Sequence, residues 1–368
     1  MKPKKLLALA LCLALSMALF AGCQEEKPND PGAPENSAND QNQPVDNQPE
    51  DHNTPDDDQP AERASVSFAV LAGPTGVGAA KLMADSEAGL TKNQYNMTVA
   101  AANDEVVAKL TGPEPEVDIA AMATNVAANL YSKTGGKVQL LTINGLGVLY
   151  ILERDGETIQ SMADLSGKTL YATGQGANPE YVLNYLLRQN GLEPGTDVEI
   201  VWLTGEEVTA KMVSGEAQFC MLPVPAATAV QIKAAGSEGA FSVRSALNLT
   251  EEWAKVNKTD NLVMSCTVVR TDWAKENPEA VAAFLEDYEA SITYVKENAA
   301  EAAELVAQYG ITPNAAIAQR AIPDCNLTFI SGAEDVKAAV AGYYQVLFDA
   351  DPASLGGAMP DDGFYYAP

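Results

Sequence analysis

Histidine is almost absent from this 368-residue chain. The single histidine, His52, lies in an acidic, proline-rich stretch ahead of the first strand pattern. Residues 64–368 therefore cannot build a Ser-His-Asp or Cys-His nucleophile, or a metal site based on histidine. Carboxylate pairs remain, but most acids fall on helix faces, where solvated surface is the ordinary interpretation. The sequence predicts no catalytic residue, no metal and no cofactor.

Cysteine is also scarce, with five in the chain. Cys12 and Cys23 fall in the N-terminal segment, whereas Cys220, Cys266 and Cys325 are far apart and show no CxxC spacing. Neither a zinc knuckle nor a redox pair is indicated. Each of the last three lies in apolar sequence, so we expect buried small hydrophobes, and a single disulfide among them is left open.

Positive charge is limited too, because 23 Lys and Arg residues face 50 Asp and Glu residues. The net charge is −27, of which residues 64–368 carry −20. A surface this acidic repels nucleic acid and anionic lipid headgroups, so we expect no nucleic-acid partner. The 305 residues of this part are enough for two lobes of ordinary size.

The N-terminal segment has the pattern of a lipoprotein signal. Three lysines within the first five residues precede an apolar stretch over residues 6–20, which is short for a bilayer span. The following LFAGC resembles a bacterial lipobox, with Phe20 where leucine is more usual. We expect residues 1–23 to be a lipoprotein signal peptide, with lipidated Cys23 anchoring the protein to the outer face of the cytoplasmic membrane. The alternative is an ordinary secretion signal with an incidental cysteine.

Residues 24–63 differ in composition from the rest of the chain. They contain twelve acidic residues, two basic residues and seven prolines, and almost nothing apolar. Such a segment cannot bury enough surface to offset the chain entropy lost on folding. The sequence therefore predicts a disordered acidic tether here.

A glycine-rich turn opens the region that can fold. Residues 68–83 read FAVLAGPTGVGAAKLM, an apolar run followed by a turn and a helical pattern. Gly73 and Gly78 have P-loop spacing, but alanines follow where the lysine and hydroxyl belong. A dinucleotide fingerprint would need glycine at Lys81. What remains is a strand, a turn and a helix start whose N–H groups can face a ligand.

The same device recurs about 100 residues further on. Residues 167–172 have a strand pattern, TGQGANPE follows, and a helical apolar stripe begins at Tyr181. Two such turns suit a two-lobed cleft, because each lobe can direct a helix N-terminus at a shared ligand. The alternation of strands and helices favours an α/β fold with mainly parallel sheets, and the last 80 residues read as helical up to an aromatic tail.

Four stretches resemble extracytoplasmic substrate-binding proteins of ABC importers, in the branch for nitrate, sulfonates, taurine and thiamine-precursor pyrimidines. Residues 163–203 resemble the second-lobe opening, and residues 206–228 resemble the helix, strand and proline turn that follow it. IAAMATN resembles the first-lobe ligand loop, and residues 277–309 resemble the paired helices of the return segment. The chain departs from the pattern at Gln218, where an acid is usual, and at Val224, inside the proline turn.

The resemblance implies a two-lobed, periplasmic-binding-protein-like type II α/β fold with two interlobe crossings, which closes by hinge motion. It places lobe 1 at residues 64–150 and 265–368 and lobe 2 at residues 151–264. It also implies a small-molecule ligand and, as partners, an ABC permease with its ATPase. We expect the protein to act as a monomer.

Two alternatives stay open for the function. One is a pyrimidine-precursor synthase on the same fold, whose eukaryotic branch uses a lysine-bound pyridoxal phosphate and a histidine. The other is a ligand sensor that works without a transporter. The missing histidine counts against the synthase, and neighbouring permease and ATPase genes would count against the sensor.

The resemblance implies that the loops facing the cleft supply the ligand contacts. The candidates are Thr75, Gly76, Val77, Met122, Thr124, Asn125, Asn144, Thr173, Gly176, Ala177, Asn178, Pro223 and Pro225, with Thr142 in addition. They include no Arg or Lys, and in an acidic domain this favours a neutral or zwitterionic molecule such as a pyrimidine-like heterocycle. An anion held by helix N-termini alone is not excluded.

Aromatic and cationic residues refine this expectation. Met122 together with one of Tyr171, Tyr181 or Trp202 is expected to cover the face of the ligand. Arg154, near a crossing, is the one cation whose position would let it reach the cleft. Lys81 should point away, because it lies about two turns into the first helix.

Overall fold

The computed structural model describes residues 63–257 and 261–368. The predicted signal peptide, the lipidated Cys23 and all but the last residue of the predicted tether lie outside the described residues. Within the described ranges, no helix combines the length and the apolar character needed to cross a bilayer.

The described residues contain eleven strands. They are β1 Ser65–Leu71, β2 Gln94–Ala100, β3 Ile119–Ala123, β4 Val138–Gly145, β5 Leu149–Arg154, β6 Thr169–Ala172, β7 Glu199–Trp202, β8 Phe219–Pro223, β9 Val243–Asn248, β10 Ser265–Arg270 and β11 Leu327–Ser331.

Thirteen α-helices alternate with these strands in the described part of the chain. They are α1 Pro74–Val77, α2 Ala80–Glu87, α3 Asn103–Thr111, α4 Thr124–Thr134, α5 Asn178–Gln189, α6 Gly205–Ser214, α7 Ala226–Ala235, α8 Leu249–Val256, α9 Thr271–Glu276, α10 Pro278–Glu297, α11 Ala299–Gln308, α12 Ala315–Ala321 and α13 Ala333–Ala350. Short 3-10 turns cover Met162–Leu165, Ile322–Cys325, Pro352–Leu355 and Asp362–Phe364.

The first sheet has six strands in the order β11-β4-β10-β3-β1-β2. Strand β1 is parallel to β2 and β3, whereas β10 is antiparallel to both of its neighbours, β3 and β4. Strand β10 comes more than 100 residues after β4, so the chain leaves this sheet and returns to its centre.

The second sheet is built from the segment that lies between those two strands in sequence. Its order is β7-β6-β8-β5-β9, with β6 parallel to β7 and β8, and β5 antiparallel to β8 and β9. Both sheets therefore combine a parallel part with an antiparallel part.

These sheets confirm the predicted α/β class and the two-lobed architecture, but they correct the expected strand direction. Five of the nine strand pairings within the described residues are antiparallel, so the expectation of mainly parallel sheets is wrong. Four of these pairings involve β5 and β10, the strands next to the crossings, which enter their sheets in the reverse direction, and the fifth joins β11 to β4. The lobe boundaries given above stay a prediction.

One strand was missed in the C-terminal part, which was expected to be helical. Strand β11 pairs antiparallel with β4, and Ser331 lies opposite Thr142. It follows Asn326, whose φ of 44° ends the preceding 3-10 turn. A five-residue strand at a sheet edge gives too short a pattern to stand out between two helices.

Side chains of helix α10 hold β1 and the start of α2, which flank the first glycine-rich turn. Phe68 of β1 packs edge-on against Phe284 and Tyr288, with ring centroids 5.0 and 5.5 Å apart. The Ser291 hydroxyl donates to the Gly78 carbonyl at 2.6 Å and accepts from the Leu82 N–H at 2.9 Å. The start of α2 is thus held by buried side chains of a helix about 200 residues away in sequence.

The three cysteines of the described part are buried and free. Burial raises the pKa of each thiol, that of Cys325 to about 12, so all three stay protonated near neutral pH. They act as small apolar side chains, as the sequence predicted.

Candidate ligand-binding site

The turn after β1 uses most of its own hydrogen-bonding groups. Gly73 has a φ of 93°, and a Cβ on Gly76 would lie 2.2 Å from the Leu71 carbonyl oxygen, so both positions require glycine. The Gly76 N–H donates to the Gly73 carbonyl at 3.1 Å and is therefore not free for a ligand. Val77 is buried in the core, and Thr75 is half-buried with no hydrogen bond to any described residue. Thr75 is the side chain here that can still bind.

The turn after β6 is closed in a similar way. Gly174 and Gly176 have φ values of 90° and 76°. The Gly176 N–H donates to a carboxylate oxygen of Glu180 at 2.6 Å, and the Ala177 N–H donates to the Gly174 carbonyl at 3.2 Å. Thr173 is half-buried and has no hydrogen bond to the described residues. The N–H groups of Gly176 and Ala177 are thus already taken.

Asn178, at the start of α5, does not cap its own helix. Ala177 takes the N-cap position, and the Asn178 side chain is fully buried. Its Oδ1 accepts from the Asn125 N–H at 3.3 Å and from the Tyr343 hydroxyl at 2.9 Å. Its Nδ2 donates to Thr124 Oγ1 at 2.9 Å and to the Met264 carbonyl at 2.6 Å. All four hydrogen-bonding positions of this amide are therefore used.

Thr124 has both of its donors occupied as well. Its hydroxyl donates to the Val263 carbonyl at 2.7 Å while accepting from Asn178, and its carbonyl accepts from the Tyr344 hydroxyl at 2.8 Å. Burial raises the pKa of Tyr343 and Tyr344 well above the ordinary value, so both hydroxyls stay protonated and donate. We call Thr124, Asn178, Met264 and Tyr343 the clasp, since they join α4, α13 and the segment before β10 to α5. The clasp leaves Asn178 no capacity for a ligand and leaves Thr124 no free donor.

Asn125 differs from its neighbours because half of its amide is unpaired. Its N–H donates to Asn178, and its Nδ2 lies 3.5 Å from the Gly176 carbonyl. Its Oδ1 is buried and has no partner among the described residues, and the residue is 1 % exposed. A buried acceptor without a partner costs about 1–3 kcal/mol. Such a cost suggests a ligand or an ordered water at this position.

Asn125 opens onto a groove of about 360 Å³ beside α4, which we call the α4 groove. Its walls come from α3, from one face of α4, and from Gly176 and Tyr181 on the other half of the chain. Asp104 and Lys133 are the charged residues that line it, and both are exposed. Burial raises the pKa of Tyr181, with Asp351 and Glu180 adding to the effect, so its hydroxyl is a neutral donor or acceptor.

Met122, which was expected to cover the face of a ligand, does not line the α4 groove. It is fully buried in β3, opposite Cys266, whose thiol contacts the Met122 carbonyl at 3.7 Å. Thr142 is also buried, and its hydroxyl shares a hydrogen bond of 2.7 Å with Thr267. Both residues belong to the core of the first sheet, because β10 covers the strands that carry them.

The remaining candidates do not line the α4 groove. The Asn144 Nδ2 donates to the Tyr288 hydroxyl at 2.8 Å, and its Oδ1 is buried without a partner among the described residues. Pro223 ends β8 opposite Leu149, and Pro225 follows a cis peptide bond. The structure thus brings Thr124, Asn125, Gly176, Ala177 and Asn178 together and places the others elsewhere. As ligand contacts, all of the candidates stay predictions.

Among the three aromatic candidates, Tyr181 lines the α4 groove. The ring of Tyr171 lies 5.7 Å from the Lys211 ammonium, and Trp202 packs against the core of the second sheet. Tyr181 is therefore the aromatic face that a molecule in the groove would meet.

Arg154 does not reach the site, so that expectation is wrong. Its guanidinium donates to the carbonyls of Met212 and Val213 at the end of α6, at 2.6 and 2.9 Å. It also lies 4.2 Å from the centre of the Phe241 ring. These carbonyls lack partners inside their own helix, and the cation satisfies them.

Several residues around the site were missed from the sequence, namely Asp104, Glu180, Tyr343 and Tyr344. The two tyrosines fit a buried helix pattern, and nothing local shows that their hydroxyls reach α4 and α5. Glu180 carried a signal, because an acid in the first turn of a helix after a glycine pair often accepts from the turn. Among the described residues, no group of three or more His, Cys, Asp or Glu side chains is placed to hold a metal ion.

Comparisons with known proteins agree with this two-sheet α/β fold. Residues 138–302 match the family model described as NMT1/THI5 like. This match confirms the resemblance seen in the sequence. No curated protein matches the chain in sequence.

Solved structures match over most of the described chain. An ABC transporter structure from Parabacteroides distasonis has 22 % identity and a TM-score of 0.67, over 83 % of this chain and 99 % of that one. The periplasmic aliphatic sulphonate binding protein SsuA from Escherichia coli has 17 % identity and a TM-score of 0.63, over 83 % and 93 %. The periplasmic nitrate-binding protein NrtA from Synechocystis PCC 6803 has 15 % identity and a TM-score of 0.52, over 75 % of each chain. At these identities the likeness establishes the fold.

Proposed function

We propose that this protein is the extracytoplasmic substrate-binding component of an ABC importer. It captures one small organic molecule between its two halves and delivers it to a permease with its ATPase. The observation that carries the proposal is Asn125, a buried side chain with an unpaired oxygen at the junction of the two halves. The fold shared with the sulphonate- and nitrate-binding proteins supports it.

The protein binds its ligand without changing it. The synthase alternative needs a histidine, and the single histidine of the sequence, His52, precedes β1 by more than ten residues. No described carboxylates, thiols or histidines are clustered for metal chemistry. Lipidation at Cys23 anchors the protein to the outer face of the cytoplasmic membrane, and the acidic segment after it gives the domain reach.

A thermal-shift screen of the full chain tests the binding proposal. The screen covers sulfonates, nitrate, pyrimidines, vitamins and amino acids. A true ligand at about a hundredfold excess over Kd should add about 2.7 kcal/mol to the free energy of unfolding. Failure of every compound to stabilise the protein would count against a binding role, and recovery of a chemically altered compound would count against binding without chemistry.

The anchor is tested separately by fractionation of cells that express Cys23→Ala. The variant should appear in the soluble fraction or accumulate unprocessed, while the parent stays with the membrane. Membrane association at the parent's level would contradict lipidation at Cys23.

A further inference from the structure

We infer that the site takes a nitrogen compound that donates hydrogen bonds, an amine or an N–H heterocycle of neutral or positive charge, and not an oxyanion. The inference rests on the proposed function and concerns the chemical class of the ligand. It follows from the balance of donors and acceptors at the junction, where the protein has used its donors and left an acceptor open.

Three successive backbone donors at the start of α4 are occupied. The Ala123 N–H donates to Asn103 Oδ1 at 3.1 Å, the Thr124 N–H to the Met264 carbonyl at 3.3 Å, and the Asn125 N–H to Asn178 Oδ1 at 3.3 Å. A helix N-terminus binds an oxyanion through free N–H groups of this kind. An anion at α4 would have to break contacts of the clasp.

The N–H groups of Gly76 and Gly176 in the two glycine turns are occupied as well. The Gly176 N–H is held by the Glu180 carboxylate, and the Gly76 N–H by the carbonyl of Gly73. Glu180 also places a negative charge where an anion would approach the start of α5. The N–H groups of Gly76 and Gly176 are therefore not free for an anion, and the charge of Glu180 opposes one at the start of α5.

The acceptors, by contrast, remain open. Asn125 Oδ1 is buried and unpaired at the wall of the α4 groove. Reversing this amide would set its oxygen against the Gly176 carbonyl at 3.5 Å, so the oxygen faces away from that carbonyl. Asp104, next to the start of α3, and Lys133, near the end of α4, also line this groove, and neither forms an ion pair with a described residue.

A ligand N–H or ammonium group satisfies this arrangement. It can donate to Asn125 Oδ1 while the Tyr181 ring covers one face, and a positive charge gains from Asp104 and from the acidic domain. A sulfonate or nitrate offers only acceptors, so Asn125 Oδ1 would stay unpaired.

The test measures thermal shifts of the full chain with two sets of probes. The nitrogen set is 4-aminopyrimidine, cytosine, histamine and putrescine, and the anion set is methanesulfonate and nitrate. At least one nitrogen probe should stabilise the protein and neither anion should. Stabilisation by the anions alone would overturn the class while leaving the binding function intact. No shift with any probe, including the wider screen above, would overturn the binding function itself.

Variants then locate the contact by titration with the nitrogen probe that binds. Asn125→Leu removes the oxygen and should weaken binding about tenfold or more. Asn125→Asp keeps an acceptor and should keep the parent's affinity for a cationic probe. Asn184→Leu is the matched control, because Asn184 also has an unpaired buried oxygen but does not line the groove. Asn184→Leu should bind as the parent does. Unchanged affinity in both Asn125 variants would overturn the inference.

Discussion

Asn125 and Asn178 are two buried asparagines at the starts of helices that face each other across the junction. Asn178 makes four hydrogen bonds and has no capacity left. Asn125 is just as buried, but its side chain makes one long contact and leaves its oxygen unpaired. The same residue type thus has two roles. Asn178 holds the two halves together, and Asn125 presents an unpaired acceptor.

This difference shows how one junction can hold its helices in place and still offer a hydrogen-bond acceptor to a ligand. A fully paired buried amide stabilises one arrangement of the elements around it, since each broken contact would leave a buried group unpaired. An unpaired buried oxygen next to it lowers the stability of the folded state until a hydrogen-bond donor pairs with it. The clasp therefore holds α4 and α5 in place, and Asn125 presents the oxygen between them.

The largest effect is expected for Asn178→Leu. The substitution removes all four hydrogen bonds of the Asn178 side chain and leaves the Asn125 N–H and the Tyr343 hydroxyl without the acceptor they share. The Met264 carbonyl keeps its hydrogen bond from the Thr124 N–H. The free energy of unfolding should fall by about 3 kcal/mol or more, because each buried group left alone costs about 1–3 kcal/mol. Urea denaturation followed by far-UV circular dichroism measures the loss.

Asn184→Leu serves as the control for asparagine loss on the same helix. It removes an oxygen that has no partner, so its free energy of unfolding should stay close to that of the parent. Equal losses in the two variants would mean that the clasp contributes no more than an ordinary helix position.

Tyr343→Phe and Tyr344→Phe should each cost about 1 kcal/mol of the free energy of unfolding. Each variant lacks one buried hydroxyl. In the parent, the Tyr343 hydroxyl donates to Asn178 Oδ1, and the Tyr344 hydroxyl donates to the Thr124 carbonyl. Since burial raises both pKa values, the hydroxyls stay protonated in the folded state. The losses should therefore be the same between about pH 6 and 9.

Double variants separate the two tyrosines. In an Asn178→Leu background, Tyr343→Phe should cost nothing further, because its acceptor is already gone, whereas Tyr344→Phe should keep its full effect. Additive losses for both tyrosines would show that Tyr343 does not act through Asn178.

The two turns could be predicted because their signals are local. Glycines with positive φ, at Gly73, Gly174 and Gly176, follow apolar strand runs and precede helical stripes. The fold class follows from the same alternation of strands and helices. The sequence also suggested Thr124, Asn125 and Asn178, through resemblance to a family, and the structure brings these three residues together.

The clasp could not be predicted, because its contacts are not local. Asn178 stands at the start of α5, where asparagine commonly caps a helix, yet its side chain pairs with Tyr343, 165 residues away in sequence. A cap is the local preference of asparagine, and packing against the other half of the chain overrides it. Arg154 was misplaced for a similar reason, since the end of α6 provides carbonyls that no spacing rule reveals.

A smaller loss is expected for Glu180→Ala, which tests how firmly the second turn is closed. The carboxylate accepts from the Gly176 N–H and lies in the first turn of α5. Removing it should lower the free energy of unfolding by about 0.5–1 kcal/mol. Glu206→Ala, in the first turn of α6, is the control, because Glu206 forms no hydrogen bond with a described residue. If thermal denaturation shows equal losses, the contact with Gly176 adds nothing beyond the helix dipole.

The smallest effect on stability is expected for Asn125→Leu in the absence of ligand. The variant gives up one long contact with Gly176 but also removes a buried oxygen that has no partner. The two changes oppose each other, so the free energy of unfolding should stay within about 0.5 kcal/mol of the parent. Urea denaturation of both proteins, without any added small molecule, measures the difference.

A near-zero change for Asn125→Leu, set against the large loss for Asn178→Leu, would establish that the two asparagines have separate roles. A residue retained at no gain in stability is expected where binding requires it. A loss approaching that of Asn178→Leu would instead mean that Asn125 is part of the clasp. Its oxygen would then be satisfied by an ordered water that serves the fold.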